Sequence, residues 1–295
     1  MKPSVVMVIL ISFLACSPQA VAQKPRLRVD QVRIVYAPPT EPKHQLTYET
    51  LRQRGLLELL RTLLSPFRLP RRLTLELKGC DGKVEAFYER DTATFCYEYV
   101  ELIQQHAPAV GTPGGLIPAD AVFAAIIETF LHEVGHAIFD MLRIPILGRE
   151  EDAADFVSAY ILLQFPPEDA RRLVQGVGFL LASEAKALMK EAPKLRTYAN
   201  EHGLPAQRYY NFLCMAYGSN PKIFANAVSR GRLPEERAQG CAEEYETLKR
   251  AFHKLIRPYV DQVRLRKARS EVRFNWSASV PLTDGVDAPP LRDFH

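Results

Sequence analysis

The stretch from Ala119 to Leu142 constrains this chain more than any other feature. It is apolar on nearly every side, yet it carries His132, Glu133 and His136 in its middle. Phe123, Ile127, Phe130, Leu131 and Ile138 recur at helical spacing around that trio, and Pro118 suits a first helical turn. A helix that is apolar all round is buried. Two imidazoles and a carboxylate are costly to bury unless something satisfies them. His132 and His136 stand at i and i+4, about 40° apart around the axis, and project side by side, so both can bind one ion. Zinc held this way takes Zn–N distances of about 2.0–2.1 Å and calls for a third protein ligand plus water. Glu133, about 100° round the helix, is placed to take a proton from that water. The plainer alternative is a satisfied pair of core histidines.

Ile144-Pro145 closes this helix, because the residue before a proline avoids the α region. A second helix is expected from about Glu150 to Gln164, opening with Glu150-Glu151-Asp152-Ala153-Ala154-Asp155. Glu151 and Asp155 share a face at i and i+4. Glu151 is the expected third ligand, and Asp155 would accept the free N–H of a ligand histidine. Glu150 competes for the ligand role, but its i+4 neighbour Ala154 offers no such support, and an aspartate ligand is a further alternative. As mere decoration of a helix N-terminus these acids would suit the dipole, which leaves Asp155 unexplained.

The N-terminus reads as an export signal. Lys2 precedes an apolar run from Val5 to Ala15, and Ala20-Val21-Ala22 supplies the small residues of a cleavage site. The run is about half the ~20 residues of a membrane span, and no other segment is expected to form one. A lipoprotein acylated at Cys16 is the alternative, against which Phe13-Leu14-Ala15 is a poor approach sequence. Cleavage after Ala22 leaves Cys80, Cys96, Cys214 and Cys241, an even number that favours two disulfides in an exported chain. Leu73 to Lys78 alternates with period two, and Val84 to Tyr88 and Thr92 to Tyr99 read as further strands around turns at Asp81-Gly82 and Arg90-Asp91. Cys80 and Cys96 bracket this β segment and should pair. Cys214 and Cys241, both in the helical C-terminal half, should pair with each other.

Elsewhere a strand is expected within Val29 to Tyr36. Helices are expected over Leu46 to Leu64, Glu168 to Lys190, Ala206 to Tyr217, Pro221 to Arg230 and Glu235 to Arg257. The net charge of +4 over 295 residues argues for no nucleic acid or membrane surface, and Lys249 to Arg273 reads as a solvated helix face. Tyr209, Tyr210 and His202 are candidates to donate to a developing oxyanion. His106 and His253 lack any partner pattern and are read as structural.

The pairing of HEVGH with a glutamate followed four residues later by an aspartate resembles the gluzincin branch of zincin-like metallopeptidases. Three longer stretches, at 79–101, 130–160 and 209–246, resemble the bacterial family of putative metallopeptidases known as domain of unknown function 4344. The likeness covers most of the chain from about 45 to 255. It implies a zinc peptidase fold with one zinc ion, His132, His136 and Glu151 as ligands and Glu133 as general base, and it implies little about substrate. The expected architecture is therefore α+β and mostly helical. It comprises a signal peptide at 1–22, one zincin-like domain at 23–265 with a small antiparallel sheet beside the metal helix, and a loose tail at 266–295. The expected activity is zinc-dependent hydrolysis of peptide bonds in the periplasm or beyond, on a peptide or protein bound, by analogy with zincins, along an edge strand. The rival is an exported zinc-containing binding or envelope-interaction protein without turnover.

The exported protein should begin at Gln23 and contain no free thiol. Intact-mass measurement of periplasmic protein, with and without reduction, checks both, and four alkylatable cysteines would contradict the pairing and the compartment together.

Overall fold

Leu73, Leu75 and Leu77 are buried while Thr74, Glu76 and Lys78 are half-buried, so the period-two alternation becomes a strand with one face on the core. In this computed structural model, which describes residues 31–108, 111, 115–190, 194–277 and 291, the strands are β1 (Val32–Tyr36), β2 (Leu73–Lys78), β3 (Ala86–Glu89) and β4 (Thr92–Cys96). The expected signal peptide at 1–22, Cys16 and Gln23 lie outside the described residues.

The α+β class holds, but the sheet is mixed rather than antiparallel, with order β1-β2-β4-β3. β1 pairs parallel to β2, and β2 parallel to β4, with Leu75 opposite Ala93. Only β3 and β4 pair antiparallel. The first departure follows from helices α1 (Gln45–Gln53) and α2 (Leu56–Leu64), which form the crossover that a parallel pair requires. The second follows from the segment around Asp81-Gly82. It is not a hairpin turn; it carries the chain past the place of β4, which then returns from β3 and slots between β3 and β2. The Glu98 carboxylate accepts the N–H groups of Cys80 (3.1 Å) and Gly82 (3.0 Å), and the Cys80–Cys96 disulfide ties the segment to the end of β4 (Cα–Cα 5.5 Å). Tyr97–Tyr99, expected as strand, begin helix α3 (Tyr97–His106) instead.

Helix α4 (Pro118–Leu142) lies on the sheet, with Phe130 stacked on Phe95 of β4 at 5.0 Å between ring centroids. It is long and apolar enough to cross a membrane, contrary to the sequence reading, yet 89% of its most apolar window is buried inside the protein, as in a core helix. Two glycines set how closely its neighbours approach. A Cβ on Gly135 of α4 would meet the Ala154 Cα of helix α5 (Glu150–Leu162) at 3.1 Å. A Cβ on Gly176 of helix α6 (Pro167–Met189) would meet Ala124 Cβ at 2.5 Å and the Ala121 carbonyl at 2.8 Å.

The remaining helices are α7 (Leu195–Tyr198), α8 (Pro205–Ser219), α9 (Ala225–Ser229), α10 (Glu235–Ala238), α11 (Cys241–Leu255) and α12 (Gln262–Glu271). The helix expected over Glu235 to Arg257 is thus interrupted at Gln239-Gly240. That break starts α11 at Cys241, which bridges to Cys214 of α8 (Cα–Cα 5.0 Å). Each bridge closes a loop short enough to add about 3 kcal/mol by restricting the unfolded chain.

The expected loose tail is corrected over its described part. Residues up to Glu271 belong to α12, and Phe274 to Ser277 fasten onto the start of α4. The Ser277 N–H donates to buried Asp120 (2.7 Å), which also holds Arg54 (3.0 Å) and Arg172 (3.4 Å). Trp276 Nε1–H donates to Asp169 (2.8 Å), and the Arg54 guanidinium lies 3.8 Å from the Phe123 ring centroid. Aromatic bulk at Phe274 and Trp276 decides the matter over local polarity, because it finds an apolar seat against Phe165 and Phe123.

Gly176→Ala should destabilise the fold by about 1–3 kcal/mol despite alanine's better helix propensity, since the added methyl has only the backbone and methyl of α4 to push against. Urea unfolding followed by the fluorescence of Trp276, the only tryptophan, measures it.

Candidate metal centre

The close approach at Gly135 brings the first turn of α5 against the middle of α4, and four of the expected site residues meet there. His132 Nε2 lies 2.9 Å from Glu151 Oε2, His136 Nε2 lies 3.4 Å from the same oxygen, and the two Nε2 atoms are 3.3 Å apart. A tetrahedral zinc with bonds of about 2.0–2.1 Å has donor–donor edges of about 3.3–3.4 Å. Two of the three separations match those edges and the His132–Glu151 separation of 2.9 Å is shorter, as for a direct hydrogen bond, so the three atoms form a slightly contracted face of such a polyhedron.

The outer nitrogens are occupied. His132 Nδ1 is 2.8 Å from Asp155 Oδ1, and His136 Nδ1 is 2.8 Å from Glu150 Oε1. An ionised carboxylate can only accept, so each Nδ1 carries a proton and each neutral ring turns a lone pair inward at Nε2. Two lone pairs and a carboxylate oxygen at these distances need a cation between them, and two imidazoles with one carboxylate are a donor set that fits zinc. When protons are the only cations available, His132 takes one. Burial pushes its pKa down, but the hydrogen bonds to Asp155 and Glu151 outweigh burial and bring it up to about 10. Burial raises Glu151, yet the three imidazoles around it hold its carboxyl far below the usual range.

Glu133 is 7% exposed and makes no hydrogen bond among the described residues. Burial pushes its pKa up against the pull of His132 and His136. An unpartnered buried carboxylate one residue from a ligand is free to accept a proton from a bound molecule.

The sequence reading did not assign three residues that support this centre. Glu150, considered as a rival ligand, orients His136 from outside. Arg208 of α8 grips Asp155 through both Nε and Nη2, each at 2.8 Å. Burial would lower the Arg208 pKa, but the charges of Asp155, Glu128 and Glu184 overcome that and raise it. Glu128, buried one turn before His132, accepts from Ser158 Oγ (2.7 Å). The available signal for Arg208 was a cation one turn before Phe212 in an expected helix with a partly apolar face.

His202 of the loop between α7 and α8 reaches the centre, with Nε2 2.8 Å from Glu151 Oε2. Tyr209 does not, being fully buried edge-on to Tyr210. Tyr210 lines a separate cleft with Arg149, Asp152 and Gly203. His106 and His253 bond to Ser183 (2.7 Å) and Tyr160 (3.0 Å). A cleft of about 570 Å³ opens beside His202, lined by Tyr99, Arg196, Asn200, Leu204 and Arg208. A larger apolar groove of about 680 Å³, between Ile146, Phe156 and Phe252, contains none of the residues of this cluster.

The family model described as "Putative metallopeptidase" (domain of unknown function 4344) matches residues 36–256, which include every residue of this centre. No curated protein and no solved structure matches the chain.

Arg208→Met should cost about 3 kcal/mol of stability, the low end for breaking a buried ion pair, because His132 still donates to the Asp155 left behind. Denaturant titration of the metal-free protein measures it, and an unchanged midpoint would remove Arg208 from the supporting network.

Proposed function

The chain belongs to the family described as "Putative metallopeptidase", and from that membership we propose that it is an exported zinc peptidase. In this reading His132, His136 and Glu151 hold one zinc ion and Glu133 is the general base. The observation that carries the reading is the convergence of two Nε2 atoms and Glu151 Oε2 within 3.4 Å of one another while both Nδ1 atoms are held from behind.

Zinc bound there supplies a Lewis acid that polarises a peptide carbonyl and acidifies a water. Glu133 takes a proton from the attacking water and delivers it to the departing amine as the C–N bond breaks. Asp155 and Glu150 hold each imidazole in the tautomer whose inner nitrogen is a lone-pair donor. Arg208 keeps Asp155 ionised and aimed. The substrate is a peptide or protein segment in extended form; β3, at the sheet edge alongside α4, offers backbone groups for strand addition. Two disulfides support an oxidising compartment, in keeping with export after cleavage near Ala22.

One observation favours the second reading, a metal-holding protein without turnover. His202 Nε2 lies 2.8 Å from Glu151 Oε2, near enough to compete for the coordination position that catalysis needs open.

Glu133→Gln should retain fold and zinc while peptide hydrolysis falls by about 10²–10⁴. In parallel, Glu151→Ala should empty the site, whereas Glu150→Ala should weaken metal binding by about tenfold. Metal content and cleavage of a broad peptide library, with and without chelator, are measured on the same preparations. Zinc-loaded wild type without turnover would favour the second reading, and zinc loss in Glu133→Gln would make Glu133 a ligand or support instead of a base.

A further inference from the structure

We propose that His202 is a fourth protein ligand of the metal, closing the resting centre until it is displaced into the neighbouring cleft. This inference rests on the metallopeptidase reading and adds a regulated state to the same site.

Three observations converge on His202. Its Nε2 sits 2.8 Å from Glu151 Oε2, just under the 2.9–3.4 Å separations among the other donors. Its ring is stacked near that of His132, 21° apart with centroids at 5.7 Å, and the Nε2 atoms of both rings approach the same Glu151 oxygen, at 2.8 and 2.9 Å. Donor atoms of His132, Glu151 and His202 all fall within 4.8 Å of one another. A side chain that is 47% exposed could turn to water at no loss of hydrogen bonding. Ordering it against an oxygen that already faces two imidazoles opposes its rotamer entropy, and a shared cation supplies the compensation.

The loop is built to hold this position. The His202 N–H donates to Asn200 Oδ1 (2.9 Å), and the Leu204 N–H donates to Gln207 Oε1 (3.2 Å). Gly203 lies against the Arg149–Asp152 ion pair that flanks Glu151 at the start of α5, with room for a Cβ 3.5 Å from Asp152 Oδ1. The loop thus passes close over the same turn that carries Glu151.

Four protein ligands make a closed centre, whereas catalysis needs an open position. His132, His136 and Glu151 sit on packed helices and are largely buried. His202 is half-exposed, on a loop, and lines the 570 Å³ cleft, so it is the donor that can leave. Its departure opens the coordination position on the side from which the cleft is reached.

Cobalt(II)-substituted protein tests the assignment without reference to activity. Proton NMR should show three sets of hyperfine-shifted imidazole signals in wild type and two in His202→Ala and His202→Asn. Chelator competition should show Co²⁺ bound about tenfold or more weakly in either variant. Using two variants guards against a fold defect peculiar to one. Two imidazole sets in metal-loaded wild type, unchanged by either substitution, would overturn the inference and leave the metallopeptidase reading standing. Failure of wild type to bind Co²⁺ or Zn²⁺ at all would overturn both.

Discussion

Everything at the metal centre depends on how closely α5 can lie on α4. At Gly135 the helices meet with no side chain between them and Ala154 opposite. Only at that separation does a glutamate on the first turn of α5 reach imidazoles projecting from α4. The glycine between the two histidines therefore has a geometric duty as definite as that of the side chains that converge beside it. A larger residue there would leave the donor types unchanged and move them apart. The second close contact, at Gly176 against Ala121 and Ala124, seats α6 on the same face of α4 about three turns nearer its N-terminus, away from the face on which Phe130 meets the sheet.

Around that contact the buried charges alternate in sign. His132 meets Asp155, Asp155 meets Arg208, and the field of Arg208 also reaches Glu128 and Glu184. Buried charges persist when each faces an opposite one, and this arrangement lets an otherwise apolar helix carry several acids past the core. With a metal cation in place of the extra proton on His132, the same carboxylates would keep the outer nitrogens protonated and leave the inner ones as acceptors.

Much of this was legible in the sequence because the signals were local. HEVGH, the Glu151/Asp155 spacing, the period-two run at Leu73 to Lys78 and the cysteine pairing each depend on residues near one another along the chain or on a single element. What the sequence did not reveal was non-local. The parallel pairing of β2 with β4 depends on where the segment around Asp81 carries the chain. Arg208, His202 and the C-terminal residues act through partners more than fifty residues away, and no periodicity encodes such meetings. Glu150 is a different case. Both its roles, ligand or support, fit the same helix face, and only the distance to Nδ1 against Nε2 separates them.

The fastening of residues 274–277 to Asp120, Arg172 and Asp169 has a consequence for assembly. A chain made from its N-terminus completes α4 long before these last residues exist. Until they arrive, Asp120 lacks the Ser277 N–H, and the Phe123 ring lacks its aromatic cover. The first turn of the metal helix is thus finished by almost the last described part of the polypeptide to be synthesised. A product ending before residue 274 would keep every side chain of the centre while lacking the piece that secures the helix bearing them, so the centre is coupled to synthesis of residues 274–277.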